Sequence, residues 1–242
     1  MGMTPTATQR PGARAFAGPL HRLIVAFDVE GSTMRTNPVK GELRRNLYRL
    51  LGQALGATGI TAKHLEPHTD RGDGVLILIR PYDEVPKTLV LGRLVPILTA
   101  LLIKHNASVT RPEMRLRLRA VVHAGEVHRD DRGFYGDDID VACRLLDTPK
   151  LKQALREATA SPLVLVVSEE IFTGIVQQGY LDAGPYQPLG RVRVGHRDRR
   201  GWWHVPAPLA PDRLAAIPQP RGPLPGDRGV PGHRPSERAG QD

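Results

Sequence analysis

The stretch Leu23-Ile24-Val25-Ala26-Phe27-Asp28-Val29-Glu30-Gly31-Ser32-Thr33 sets the reading of the whole chain. Its first five residues form a nearly continuous apolar run of strand formers, the pattern of a central strand buried on both faces. The run ends on a carboxylate, Asp28, and then on a turn of small residues. Such a turn presents backbone N–H groups that can face phosphate oxygens, so Gly31, Ser32 and Thr33 become candidate phosphate-binding residues.

Downstream, Leu43, Leu47, Leu50, Leu51, Ala54 and Leu55 recur at helical spacing, with Gly56 and Gly59 closing the pattern. Thr61–Leu65 and Val75–Ile79 read as strands flanking Arg71-Gly72-Asp73-Gly74, which places Asp73 at a hairpin tip. Asp83–Lys104 reads as a second helix, with Pro86 in its first turn and a kink at Pro96. Arg115–Arg119 alternates strictly before turning apolar at Ala120, as a strand running from a solvated edge into a core does. A third helix begins near Asp138. Leu163–Val167 is a further strand, Ser168 after it reads as the N-cap of a short helix with Glu169 and Glu170 behind it, and Arg191–Val205 reads as a terminal hairpin. Strands and helices interleave without full parallel alternation, which implies an α+β fold with a mixed, largely antiparallel sheet and helices packed on it.

Two carboxylates offered from neighbouring strand ends, Asp28 and Asp73, match what a pair of hard divalent cations takes, since Mg2+ commonly bridges protein carboxylates and substrate phosphates. Either alone is an ordinary turn residue. Asp140 and Arg144 stand at i and i+4 on the third helix, where an intrahelical ion pair is the simple reading. His123 reads as a structural residue at a strand end, and Cys143 as a small buried side chain.

Taken in order, Phe27–Thr33, Gly72-Asp73-Gly74, His123-Ala124-Gly125-Glu126-Val127 and Tyr135-Gly136-Asp137-Asp138-Ile139-Asp140-Val141-Ala142-Cys143-Arg144-Leu145 resemble the catalytic domain of class III nucleotide cyclases, the adenylate and guanylate cyclase family. The resemblance spans about residues 21–170. It implies a ferredoxin-like palm acting as a head-to-tail homodimer on a nucleoside triphosphate. It also implies two Mg2+ or Mn2+ ions held by Asp28, Asp73 and the Val29 backbone carbonyl of one subunit. Arg144 of the other subunit matches the family's transition-state arginine. The chain departs from the family where the base is read. Thr69 replaces a lysine, Gly133 replaces the second base reader, and Asp140 replaces the helical asparagine. Other residues, among them Asp70, Arg71 and Tyr135, are then the candidates for reading a base, with a pyrimidine as one option. A degenerate cyclase fold serving as a nucleotide-binding or regulatory module is the rival reading.

Composition narrows the setting. With 34 Lys and Arg against 25 Asp and Glu, the chain carries +9 over 242 residues, which suits an anionic ligand. The basic run Arg191–Arg200 has only Trp202 and Trp203 beside it as stacking residues, which argues against nucleic acid. The single cysteine allows no internal disulfide. No apolar signal region opens the chain, and the run Thr88–Ile103 is broken by Arg93 and Pro96 and too short for a span. A cytoplasmic domain over 21–205 is expected. Residues 1–20 and the tail 206–242, where nine prolines fall among glycines and arginines, are expected to be disordered because they cannot bury enough apolar surface to offset ordering entropy.

Overall fold

A computed structural model describes residues 18–67, 69–70, 72, 74–181, 184–210 and 212–213. Most of the arm at 1–20 and of the tail beyond 206 therefore lies outside the described residues, as do Arg71 and Asp73. The first strand, β1 (Leu20–Val29), is followed by helix α1 (Asn37–Ala57), strands β2 (Thr69–Asp70) and β3 (Gly74–Ile79), and a long helical segment made of α2 (Lys87–Leu89), a π-helical turn (Val90–Leu94) and α3 (Val95–Ser108). Then come β4 (Leu118–Asp130), β5 (Gly133–Tyr135), α4 (Asp137–Leu146), α5 (Pro149–Glu157), β6 (Leu163–Ser168), a single helical turn α6 (Glu169–Ile171), and the hairpin β7 (Gln187–Val194) and β8 (Arg197–His204).

The strands form one sheet in the order β2-β3-β1-β4-β6-β8-β7, with β5 folded onto the far end of β4. Among the described residues only β4 and β6 run parallel; the other pairs are antiparallel. The sheet is mixed and largely antiparallel, as the interleaved pattern implies. Both its faces are covered. Leu23, Val25 and Phe27 of β1 point into a core shared with α1 and α3, whereas Ile24 and Ala26 point into a second core with α4 and α5. That double burial explains why β1 reads as a continuous apolar run rather than an alternating one. By the same alternation Asp28 falls on the α4/α5 face and Val29 on the α1 face.

Several local expectations are corrected. Thr61–Leu65 is not a strand: Thr61 and His64 cap each other across a short 3-10 turn, Ala62–His64, leaving Leu65 a lone bridge to Ile79. On the side away from β1, the strand that pairs with β3 is β2, with Asp70 opposite Val75. The second helix starts at Lys87, with Pro86 as its N-cap. The Pro96 irregularity appears as the π-helical turn just ahead of it, where the ring and the missing N–H disrupt the regular ladder. By length and composition the 22-residue segment Lys87–Ser108 would be long and apolar enough to cross a membrane, yet Val90, Leu94, Ile97, Leu98 and Leu102 are spent on the sheet's core. The last hairpin begins at Gln187, earlier than its sequence suggests, and α5 goes unread in the sequence. Trp202 stacks on Phe172 with centroids 4.3 Å apart, and Trp203 packs on the α4/α5 core, so both tryptophans are packing residues. Beyond β8, the Leu209 N–H donates to the Pro96 carbonyl at 3.0 Å.

One buried ion cluster ties the start of β1 to the sheet edge. Glu66 Oε1 accepts from Arg22 Nη2 at 2.7 Å and from Arg80 Nε at 2.9 Å, with the Glu66 side chain 3% exposed. Hydrogen bonding from Arg80 first, then Arg22, holds the Glu66 carboxyl at about 2 against the burial that would raise it. A carboxylate depressed in the fold stabilises fully above its unfolded value and loses that contribution as pH falls toward 2. Glu66→Gln is therefore expected to destabilise by about 3 kcal/mol at neutral pH, because it leaves Arg22 buried without its counter-charge. The difference from wild type should shrink in denaturant titrations run progressively below pH 4.

Candidate functional site

Strand alternation and register build the site. Asp28, the last even position of β1, stands directly opposite Arg119 of β4 on one side and Gly74 of β3 on the other. Arg119 Nη2 contacts Asp28 Oδ2, an ion pair made by cross-strand neighbours on one face. Burial pushes the Arg119 guanidinium below its ordinary value, with Asp147 opposing that shift, and Arg119 Nε is buried without a hydrogen-bond partner. Gly74 has to be glycine: a Cβ there would overlap the Phe27 carbonyl oxygen, so β3 begins flush against the end of β1. Asp73, the residue before it, lies outside the described residues.

After Val29 the chain turns through Gly31, at φ 66°, into the short 3-10 turn Ser32–Met34. The positive φ is the left-handed conformation that glycine takes without steric cost. Ser32 is buried and Thr33 exposed. The turn and the end of β1 separate two clefts. On the α4/α5 face, a polar cleft of about 500 Å3 is lined by Asp28, Ser32, Thr33, Arg119, Asp147 and Lys152, with Cys143 half-buried in its wall. Lys152 of α5 is paired with Asp147 at 2.5 Å. On the α1 face, a more apolar pocket of about 410 Å3 shares Val29, Ser32, Thr33 and Gly74 and is closed by Leu47, Arg44 and Tyr48. Arg44 lies over the Tyr48 ring, 5.0 Å from its centroid, and donates to the Gly72 carbonyl at 3.1 Å.

The remaining candidates fall elsewhere. Asp140 and Arg144 are both exposed on α4, no ion pair joins them among the described residues, and neither lines the cleft at Asp28. The intrahelical pair expected from their spacing is thus not formed. Gly133 and Tyr135 sit on β5, where Gly133 is opposite Asp130, the last residue of β4, and Tyr135 stacks on His128. Since β4 runs 13 residues at about 3.3 Å each, and Asp28 faces its second residue, these two groups stand far apart within one chain. Thr69 and Asp70 belong to β2, paired with Leu76 and Val75 of β3. Ser168 occupies the N-cap position, but its hydroxyl lies 2.8 Å from His123 Nδ1 instead of capping the turn.

Arg119, Lys152, Arg44 and Tyr48 are site residues that sequence reasoning passes over. For Arg119 a signal exists: the one arginine of Arg115–Arg119 that register sets opposite the strand-end Asp cannot be a solvated edge residue. For Lys152 on the unread α5 there is none. Among the described residues no group of three or more His, Cys, Asp and Glu is gathered for a metal ion. The Asp28 carboxylate is a hard oxygen donor aimed into a polar cleft, which fits Mg2+ or Mn2+.

Comparison with solved structures decides the architecture. An adenylate/guanylate cyclase/hydrolase from Silicibacter pomeroyi superimposes with a TM-score of 0.51 at 22% identity, covering 78% of this chain and 98% of that one. The chain has the class III nucleotide cyclase fold. The guanylate cyclase domain of RhGC from Catenaria anguillulae, solved with GTP, gives a TM-score of 0.54 at 17% identity over 80% of this chain and all of that domain. The adenylyl cyclase CyaB from P. aeruginosa gives 0.50 at 16% identity, over 81% of this chain and 99% of that one. No protein-family model and no curated protein matches the chain. Within this cyclase fold, the Asp28 cleft lies at the end of the central strand, and α4 packs across the sheet face beside it.

Proposed function

We propose that the protein is a metal-dependent nucleotide cyclase, converting a nucleoside triphosphate to a 3',5'-cyclic nucleotide and pyrophosphate. The observation that carries this reading is one turn, Gly31–Thr33, flanked by a polar cleft with Asp28, Arg119 and Lys152 on one side and an apolar pocket with Tyr48 on the other. A nucleoside triphosphate has the same two ends, a polyanionic chain and a flat base.

In the reaction the 3'-hydroxyl gives up its proton to solvent, its oxygen forms a bond to the α-phosphorus, the bond from that phosphorus to the bridging oxygen breaks, and pyrophosphate leaves with the electron pair. Asp28, Asp73 and the Val29 carbonyl would hold two divalent cations. When bound, these supply hydroxyl activation and charge neutralisation at the phosphates. Arg119 then faces the phosphates with its own counter-charge engaged elsewhere, and Lys152 adds a second cation at the cleft wall. The Gly31–Thr33 turn orients the phosphate chain. Arg144, exposed and outside its own chain's cleft, serves the site of a second copy, where its guanidinium stabilises charge building on the transition state. Such a site is composite, with Asp28 from one subunit and Asp140 and Arg144 from the other. A cytoplasmic setting, where triphosphates and Mg2+ are abundant, goes with this reading, as does a signalling role for the cyclic product.

The base is not selected by the purine rule. Thr69 and Gly133 lack the long polar side chains that would pair with adenine or guanine, and a pocket discriminates strongly only when the wrong base leaves its buried polar groups unpaired. Purified protein incubated with each of the four triphosphates and Mn2+, with products identified by mass, is expected to turn over UTP or CTP at least as well as ATP or GTP. Clean selectivity for ATP or GTP would remove the pyrimidine preference and keep the cyclase. A second reading, a nucleotide-binding module without turnover, draws on the direct contact of Arg119 with Asp28. No cyclic product from any triphosphate with Mg2+ or Mn2+, in a verified dimer, would favour that reading instead.

A further inference from the structure

His123 belongs to the sequence pattern yet has no part in the reaction above. It is 1% exposed and lies on the β4 face that packs against α4. Its Nε2 is 3.2 Å from Asp138 Oδ1, in the first turn of α4. The other oxygen of Asp138 accepts the Glu126 N–H at 2.6 Å. Room for that carboxylate exists only because residue 125 is glycine, since a Cβ there would overlap Asp138 Oδ2. On the other side of the ring, Nδ1 is 2.8 Å from Ser168 Oγ at the end of β6 and 3.5 Å from Glu170 Oε2 on α6. Arg199 of β8 approaches Glu170 at 3.6 Å.

We infer that His123 is a positioning residue that fixes the first turn of α4, and with it Asp140 and Arg144, to the sheet through an imidazolium shared between Asp138 and Glu170. The inference deepens the cyclase reading and rests on it for the role of α4. Four charged groups from four elements meet here: His123 of β4, Asp138 of α4, Glu170 of α6 and Arg199 of β8. With the ring protonated they sum to zero, and without it the cluster around the buried ring carries one uncompensated negative charge, with Glu170 at its solvent-facing end. Both ring nitrogens then donate, one to each side. Burial alone lowers the affinity of His123 for its proton, but the Asp138 and Glu170 carboxylates more than offset it and the net shift is upward. The His123 hydrogen bond in turn leads the causes that lower Asp138, and it holds the Glu170 carboxyl at about 2.

An apolar side chain would fill the same space. What it would lack is direction. Asp138 is two residues before Asp140 and six before Arg144, so a helix rising about 1.5 Å per residue carries any rotation at its first turn to Arg144 within about 9 Å. A misplacement of about 1 Å in a reacting constellation can cost about 10^2 in rate.

The test uses the full chain and whichever of UTP, CTP, ATP or GTP it cyclises with Mn2+. His123→Asn and Asp138→Asn are expected to lower kcat about 10- to 100-fold with KM within about threefold, and to speed amide exchange across residues 137–146 while β1 stays protected. The clamped form exists below the raised pKa of His123 and is lost above it. Asp138→Asn should therefore move the alkaline limb of the kcat profile to lower pH, a change that loss of packing alone would not produce. Should His123→Asn fail to fold, Asp138→Asn and Ser168→Ala give the same readouts. Wild-type kcat, an unmoved alkaline limb and unchanged exchange at 137–146 would overturn the clamp. If wild-type protein forms no cyclic product at all, the cyclase reading fails, and exchange at 137–146 in the variants still decides whether His123 holds α4.

Discussion

Asp28→Ala protein is expected to form no measurable cyclic nucleotide from any of the four triphosphates, a loss of about 10^3-fold or more. The carboxylate is the described donor at the end of the central strand, and phosphate and hydroxyl activation together supply several kcal/mol of transition-state stabilisation. Nothing in that role involves the base, so the loss should be equal for purine and pyrimidine substrates. Asp28 also neutralises Arg119, whose side chain is 11% exposed. Its removal leaves a largely buried cation unpaired and should lower the unfolding midpoint. Asp28→Asn limits the second effect, because it keeps the shape and one oxygen that can accept from Arg119, though not the counter-charge, while weakening cation binding. Product measured by mass, alongside thermal unfolding of both variants, checks the prediction. Activity within tenfold of wild type in a folded Asp28→Asn protein would mean that the cleft at β1 is not where the triphosphate reacts.

The ends of β1 and the start of α4 were legible because single residues there do two jobs at once. Leu23–Phe27 must be buried on both faces, which only a central strand permits, and the polar residue that ends such a run has to sit where the strand leaves the core, at the end of the sheet. Likewise Leu43, Leu47 and Leu50 at helical spacing leave no alternative to a helix packed on the sheet, and all three are buried in the α1/α3 core. What stayed hidden depends on pairing across the sheet. Thr61–Leu65 has strand-like composition, and only the reciprocal capping of Thr61 and His64, a contact between particular atoms, turns it into a 3-10 turn. Arg119 belongs to an alternating run that reads as a solvated edge until register places it against Asp28. Lys152 and Tyr48 come from half-buried flanks of helices, where no periodic signal singles them out, and they enter the site only through how those helices lean on the sheet. The π-helical turn before Pro96 is similar: a proline foretells disruption, but not which wider turn absorbs it.

Mixing two inactive variants should restore activity. Arg144 is exposed on α4 and does not line the cleft of its own chain, while Asp28 lies at the end of the sheet where Cys143 and Leu146 of α4 and the next residue, Asp147, line the cleft instead. If Arg144 acts, it acts on a second copy. Arg144→Ala alone should cost about 10^2 to 10^3 in rate, the effect of losing one transition-state donor, and Asp28→Ala should cost more. In a head-to-tail dimer of the two variants, one site takes Asp28 from the first chain and Arg144 from the second and is intact, whereas the other site lacks both. With random exchange half of the dimers are mixed, so about a quarter of wild-type activity should return, as two-fold symmetry of the sites requires. The measurement is cyclic product after co-refolding, with subunit exchange verified by differently tagged chains. No recovery despite exchange would place every catalytic group within one chain. Arg144 would then have to reach Asp28 by a movement of α4, against the tether at Asp138 that holds its first turn to β4.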